Sequence, residues 1–99
     1  MSRKKIYVSL PISGKDIDEV KMKSRKESLY LVNLGYVAVT PFDVTEEKDR
    51  SYGYYIGKDL QMILDKCDGI YFCKGWWRSK GCRLEFAAAL IYGKKIYFE

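Results

Sequence analysis

The 99-residue sequence predicts an α/β protein with a mainly parallel sheet. Short segments rich in β-branched and aromatic residues alternate with longer amphipathic or alanine-rich segments, in the order β-α-β-α-β-α-β. Every connection between predicted strands is long enough to hold a helix, as a parallel crossover requires. The length suits a single domain, which we place over residues 1–99.

The first strand and the first helix are separated by a turn. Residues 6–10 are apolar and β-favouring, and residues 11–14 follow them with turn chemistry. A helix is predicted over residues 16–33, and Gly35 stands where a C-terminal cap is expected. The stripe of this helix predicted to face the core comprises Ile17, Val20, Ser24, Leu31 and Leu34.

The second strand and a charged loop come next. Residues 36–40 are β-branched and aromatic, and Pro41 is expected to close this strand. Residues 43–51 are rich in charge and predict an exposed, mobile loop.

Two helices and two strands make up the second half of the chain. A helix over residues 54–64 places four apolar side chains on one face, those of Ile56, Leu60, Ile63 and Leu64. Residues 68–73 form the third strand, residues 80–92 an alanine-rich helix that ends at Gly93, and residues 94–98 the fourth strand.

Composition restricts the chemistry that the chain can perform. It contains no histidine, and its three cysteines, Cys67, Cys73 and Cys82, form no CxxC pair. We therefore expect no disulfide, no metal site and no cofactor. Acid–base chemistry must come from carboxylates, tyrosines or lysines, because every Ser-His and Cys-His arrangement is absent. With no signal peptide and no membrane-length apolar run, we expect a cytoplasmic protein that does not bind membranes.

The net charge of +5 is compatible with more than one partner. Basic residues cluster over residues 2–5 and 15–26, which fits an ordinary solvated surface. The same charge would attract a phosphorylated small molecule or a nucleic acid. We rank nucleic acid last, because the basic residues do not interleave with a nucleic-acid-binding motif.

The carboxyl edge of the predicted sheet is the natural place for a ligand. The loops over residues 11–14 and 74–81 meet there, together with the start of the helix predicted over 80–92. Gly14, Gly75 and Gly81 let backbone N–H groups approach a phosphate or carboxylate, although such glycines often only form turns.

Three side chains are candidates for chemistry. Glu85 is a single carboxylate among apolar residues, and it either faces inward or lies on the outer face of its helix. Asp59 lies beside the apolar stripe of the preceding helix. Tyr7 is expected in the core, where its hydroxyl needs a polar partner such as a carboxylate.

Four blocks of sequence together resemble the nucleoside 2-deoxyribosyltransferase superfamily. They are residues 5–14 (KIYVSLPISG), the pair Asp59-Leu60, residues 67–70 (CDGI) and the pattern Ser79-x-Gly81-x-x-x-Glu85. The resemblance covers almost the whole chain and is strongest to a small DUF4406-like branch found in bacteria and phages. It implies a flavodoxin-like three-layer α/β/α fold with four strands, or five, and a homodimer or larger oligomer whose sites are often completed by a neighbouring subunit.

The resemblance also implies cleavage of the N-glycosidic bond of a nucleoside or nucleotide, by an N-glycosidase or a deoxyribosyltransferase. The superfamily includes the 2'-deoxynucleoside 5'-phosphate N-hydrolases. Glu85 matches the nucleophile, Asp59 the supporting aspartate and Tyr7 the tyrosine that orients the glutamate. The substrate-binding residues that we predict are Ser9, Pro11, Ser13, Gly14, Trp76, Ser79 and Gly81, with Ser79 and Gly81 on the loop that holds a 5'-phosphate in the hydrolases.

The roles of these residues in glycosidic cleavage lead us to expect an ionised Glu85. A carboxylate stabilises an oxocarbenium-like centre or traps it covalently, while Asp59 or water protonates the departing base. Because a nucleophile must be ionised, we expect Tyr7 and helix-terminal amides to donate to Glu85 and hold its pKa down.

The chain also departs from the relatives. It has Ala87 where they usually have glycine, and its loop after the first strand lacks their glycine and arginine. The additional Trp76-Trp77 pair either stacks on a base or fills a subunit interface. A non-catalytic binder of a nucleotide-derived ligand is the alternative function.

Overall fold

The structure, a computed structural model, describes residues 3–45 and 47–99. Met1, Ser2 and Glu46, which fall within the predicted domain and loop, lie outside the described residues. The strands are β1 (Lys5–Ser9), β2 (Val37–Val39), β3 (Gly69–Phe72) and β4 (Lys95–Phe98). The helices are α1 (Ile17–Asn33), α2 (Pro41–Val44), α3 (Tyr52–Lys66) and α4 (Lys80–Tyr92), with one turn of 3-10 helix at Trp76–Arg78. Over these ranges no helix combines the length and apolar character needed to span a bilayer.

The four strands form one parallel sheet in the order β2-β1-β3-β4. β1 lies inside the sheet, where Tyr7 is in register with Val39 of β2 and with Ile70 of β3. The predicted α/β class with a parallel sheet is confirmed, and the described part of the chain contributes four strands.

Helices cover both faces of the sheet because successive strand residues point to opposite sides. On one face, Ile6 and Val8 pack with Val20 and Leu31 of α1. On the other face, the core joins α3 and α4 to the sheet, and it contains Tyr7, Ile63, Ile70, Phe72 and Ala89. The result is a three-layer α/β/α arrangement.

The short helix α2 corrects the expectation that Pro41 ends a strand and that residues 43–51 are all loop. Pro41 instead begins α2, where its fixed φ angle and its missing N–H are both tolerated. Asp43 stabilises this start, since its carboxylate accepts hydrogen bonds from the backbone N–H of Thr40 at 2.9 Å and from the Thr40 hydroxyl at 3.0 Å. The predicted strand therefore shortens to three residues.

The face of the sheet that α1 covers contains a buried carboxylate that the apolar pattern of the sequence does not predict. Glu27, which is 5% exposed, accepts a hydrogen bond of 2.7 Å from the hydroxyl of Tyr71 on β3. Lys23 Nζ lies 3.7 Å from Glu27 Oε2 and also pairs with Glu99. Of the predicted stripe, Val20, Ser24 and Leu31 are buried, whereas Ile17 and Leu34 are exposed.

Candidate functional site

A cavity of about 600 Å³ opens at the carboxyl edge of the sheet. Its walls come from the loop after β1, from the first turns of α1, from α2 and α3 and the segment between them, and from the start of α4. The predicted polar residues on its wall are Tyr7, Ser13, Asp59, Ser79 and Glu85. A concave site of this size, with largely apolar walls and a few convergent polar groups, suits a small organic ligand.

The start of α4 brings Glu85 to the cavity. Ser79 is the N-cap of α4, and its hydroxyl oxygen accepts the backbone N–H of Cys82 at 3.3 Å. Gly81 leaves room for the hydroxyl of Tyr52 on α3, because a Cβ at this position would lie 3.1 Å from it. Glu85 follows in the second turn of α4, and it is only 4% exposed.

Ser9 holds one oxygen of Glu85. The Ser9 hydroxyl donates a hydrogen bond of 2.7 Å to Glu85 Oε1 and so connects the end of β1 to α4. Ser9 is 1% exposed and does not line the cavity, so it lies behind the carboxyl group rather than on the cavity wall.

Tyr7 is two residues before Ser9 and therefore faces the same side of the sheet. Its side chain is fully buried, and within the described residues its hydroxyl has no hydrogen-bond partner. Burial raises the pKa of the Tyr7 hydroxyl well above its ordinary value, and the negative charges of Glu85 and Asp59 raise it further. Tyr7 is thus a neutral hydrogen-bond donor at the cavity wall, close to two carboxyl groups.

Asp59 reaches the cavity from α3. Burial raises the pKa of its carboxyl group to about 6, and the nearby Tyr7 hydroxyl partly opposes that rise. Although no direct Tyr7–Asp59 bond meets hydrogen-bond geometry, the phenol is close enough to favour the ionised form. Asp59 is therefore mostly ionised at pH 7.

The expectation of a low pKa for Glu85 is wrong. Burial raises the pKa of Glu85 to about 8, the Ser9 hydroxyl lowers it, the charge of Asp59 raises it and Tyr7 lowers it slightly. Loss of contact with water thus raises the pKa of Glu85 more than the hydrogen bond from Ser9 and the nearby Tyr7 hydroxyl lower it. At neutral pH, Glu85 is therefore mainly a neutral acid beside an ionised Asp59, and we refer to these two side chains as the carboxyl pair.

The remaining predicted residues lie in three places. Gly81 lines the cavity described above. Pro11 and Gly14 instead line a second cavity of about 510 Å³ beside α1. Trp76 lies in an aromatic cluster, where its ring stacks on Phe86 with centroids 4.6 Å apart. The structure therefore does not bring Trp76, Pro11 or Gly14 to the carboxyl pair.

The sequence did not reveal the aromatic wall of the cavity. This wall contains Phe42 of α2 together with Tyr52 and Tyr55 of α3. α2 was not predicted, and α3 begins at Tyr52, two residues before the predicted start. Ser51, whose hydroxyl accepts the backbone N–H of Tyr54 at 3.1 Å, was the available signal for that earlier start.

Cys82 also lines the cavity, although it is not among the site residues predicted from the sequence. It is buried, and burial is the main cause that raises the pKa of its thiol. A thiol in this state is a poor nucleophile, so the carboxyl pair remains the candidate for chemistry at this site.

Comparison with known families gives a match over nearly the entire chain. A family model described as "Domain of unknown function (DUF4406)" matches residues 4–98. Comparison with curated proteins finds no match.

Proposed function

The chain belongs to the DUF4406 family, whose description leaves the activity open, and we propose from its site that it cleaves the N-glycosidic bond of a nucleoside or nucleotide. Glu85 attacks the anomeric carbon, Asp59 handles the proton of the departing base, and Tyr7 stabilises the reacting carboxylate. The observation that carries the proposal is a buried glutamate on the wall of a cavity of about 600 Å³, beside an aspartate and a phenol that has no hydrogen-bond partner among the described residues.

The charge requirements of glycosidic cleavage fit these groups. The bond between the anomeric carbon and the base nitrogen breaks through a centre that carries positive charge. A carboxylate against that centre is stabilised by it, most strongly where water is excluded. The burial of Glu85 therefore disfavours its negative charge when no positive centre is nearby, and it strengthens the attraction of that charge to the reacting carbon.

The number of protons that Glu85 and Asp59 bind near neutral pH also fits glycosidic cleavage. With pKa values of about 8 for Glu85 and about 6 for Asp59, the pair holds one proton near pH 7. Cleavage needs one ionised carboxylate and one proton for the base. Transfer of the proton from Glu85 to Asp59 meets both needs, since Glu85 then bonds to the anomeric carbon while the base leaves with the proton from Asp59.

Water completes the cycle in a hydrolase. Asp59 accepts a proton from water as the water oxygen attacks the anomeric carbon and displaces Glu85. If a second base attacks instead, the product is a new nucleoside and the enzyme is a transferase.

The aromatic wall favours a ligand with a flat ring. Phe42, Tyr52 and Tyr55 offer apolar surface for a nucleobase, and Ser13 and Ser79 offer hydroxyls for a sugar or phosphate. The resemblance to the deoxyribosyltransferases adds a homodimer or larger oligomer to the proposal, which light scattering coupled to size-exclusion chromatography tests. The cytoplasmic location expected from the sequence is also part of the proposal.

The decisive experiment is to incubate the protein with ribonucleosides, deoxynucleosides and their 5'-monophosphates and to detect free base by chromatography. We expect release from at least one class, with a bell-shaped dependence of kcat/KM on pH. Its limbs should lie near pH 6 and pH 8, because the singly protonated pair is most populated between these values.

A parallel calorimetric titration with the same compounds separates the two candidate functions. Tight binding without base release, with and without an added acceptor base, would contradict the enzyme and support a nucleotide-binding protein. Base release that is unchanged in Glu85→Gln would contradict the proposed nucleophile.

A further inference from the structure

We infer that Ser9 is a positioning residue for Glu85: its hydroxyl holds Oε1 and leaves Oε2 as the oxygen that carries the proton and reacts. The inference rests on the proposed function in assigning the reaction to Glu85. It differs from the role predicted for Ser9 from the sequence, which was contact with substrate.

The β-sheet holds the backbone of Ser9 in place independently of its side chain. Ser9 is the last residue of β1 and is in register with Phe72 of β3. The backbone N–H of Cys73 donates to the Ser9 carbonyl at 2.9 Å. A serine side chain then has a single rotatable bond that positions its oxygen, so the hydroxyl position is defined by the sheet.

The bond to Glu85 joins two elements that are far apart in the sequence. Ser9 Oγ lies 2.7 Å from Glu85 Oε1, the two residues are separated by 76 positions, and both side chains are buried. Buried hydroxyl–carboxyl bonds of this length restrict both partners. Ser9 thereby fixes the direction in which the glutamate leaves α4.

The same bond distinguishes the two oxygens of Glu85. Because the Ser9 hydroxyl donates to Oε1, a proton on the neutral acid sits on Oε2. Tyr7, which lies on the same strand face and borders the cavity, supplies a second hydroxyl near this carboxyl group. The pattern Tyr7-x-Ser9 therefore delivers one hydroxyl on the cavity wall and one behind the carboxyl group.

Removal of the Ser9 hydroxyl should make Glu85 harder to ionise, since a donor to a carboxylate favours its charged form. We expect Ser9→Ala to raise the titration midpoint of Glu85, so that the ionised fraction below the midpoint falls about tenfold or more. The measurement is the pH titration of the side-chain carboxyl carbon by NMR in protein labelled with ¹³C-glutamate, with the Glu85 signal assigned from Glu85→Gln.

Matched variants separate positioning from packing. Ser9→Thr keeps the hydroxyl and should restore the midpoint, and Ser9→Cys, a weaker donor of similar shape, should give a smaller upward shift. Ser28→Ala is the control, because the Ser28 hydroxyl is buried without a hydrogen-bond partner in the described structure and lies on α1. It should leave the Glu85 titration unchanged.

The titration does not depend on turnover, so the two proposals fail separately. An unchanged midpoint in both Ser9→Ala and Ser9→Cys would overturn the role of Ser9. A raised midpoint in a protein whose unsubstituted form releases no base would overturn the glycosidase while supporting the control of Glu85 by Ser9. If base is released, the alkaline limb of kcat/KM should move with the NMR midpoint in Ser9→Ala, whereas KM should change little.

Discussion

Glu27 and Glu85 are both buried glutamates on helices, yet they lie on opposite faces of the sheet and have different surroundings. Each accepts a hydrogen bond of 2.7 Å from a hydroxyl on a strand, from Tyr71 in the case of Glu27 and from Ser9 in the case of Glu85. Glu27 has the ammonium group of Lys23 at 3.7 Å. Glu85 has instead a second carboxyl group, that of Asp59, and an open cavity.

The difference shows what burial alone does not reveal about a carboxylate. A buried charge with a cation and a hydroxyl is compensated, and it serves the packing of α1 on the sheet. A buried acid that faces another acid is uncompensated, and its proton becomes mobile near neutral pH. The α1 face is therefore structural, and the face covered by α3 and α4 holds the chemistry that we propose.

The largest expected effect separates the two glutamates by activity. Glu85→Gln should lower the rate of base release by at least ~10³-fold, because the nucleophile is lost while the side-chain shape is kept. Glu27→Gln should leave kcat within about threefold, because Glu27 lies on the opposite face of the sheet from the carboxyl pair. Free base is measured by chromatography for both variants after circular dichroism has shown that each is folded. A comparable loss of activity in both variants would contradict the different roles that we assign to Glu85 and Glu27.

The second effect concerns stability and its dependence on pH. The carboxyl group of Glu85 has a pKa of about 8 in the folded protein and 4.5 as its ordinary value. The folded state therefore binds more protons between these pH values. The stabilisation from this group is complete below pH 4.5, amounts to about 5 kcal/mol there, and is lost as the pH rises through 8.

Urea denaturation at pH 5, 6.5 and 8 measures this dependence. Glu85→Gln should flatten the fall in unfolding free energy across this range, because the glutamine side chain does not titrate. Equal slopes for the variant and the unsubstituted protein would contradict the raised pKa of Glu85.

The third and smallest effect compares the two tyrosines. Tyr71→Phe removes the donor to Glu27 and should lower the unfolding free energy by about 1.5–3 kcal/mol. Tyr7→Phe removes a hydroxyl that has no partner in the described structure, so it should cost less than about 0.5 kcal/mol.

Activity should show the reverse order. Tyr7→Phe should lower kcat by about tenfold, because the phenol then no longer stabilises the reacting carboxylate. Tyr71→Phe should retain kcat once it is folded. Urea denaturation and the free-base assay are applied to both variants, and a stability loss in Tyr7→Phe as large as that in Tyr71→Phe would show that Tyr7 has a structural partner.

Local patterns in the sequence determined the order of the main elements. The alternation of β-favouring and amphipathic segments is a short-range property, and the predicted parallel sheet follows from it because the connections hold helices. The isolation of Glu85 among apolar neighbours is visible in the same way. The short α2 escaped prediction because Pro41 fits both the end of a strand and the first turn of a helix.

Only the tertiary structure decided the state of the carboxyl groups. Ser9 and Glu85 meet across 76 positions, and Asp59 reaches the same cavity from a third element. No local pattern encodes such a meeting, since it depends on how α3 and α4 pack on β1. The pKa of Glu85 is raised rather than lowered for the same reason: the loss of water around a side chain is a property of all the elements that surround it.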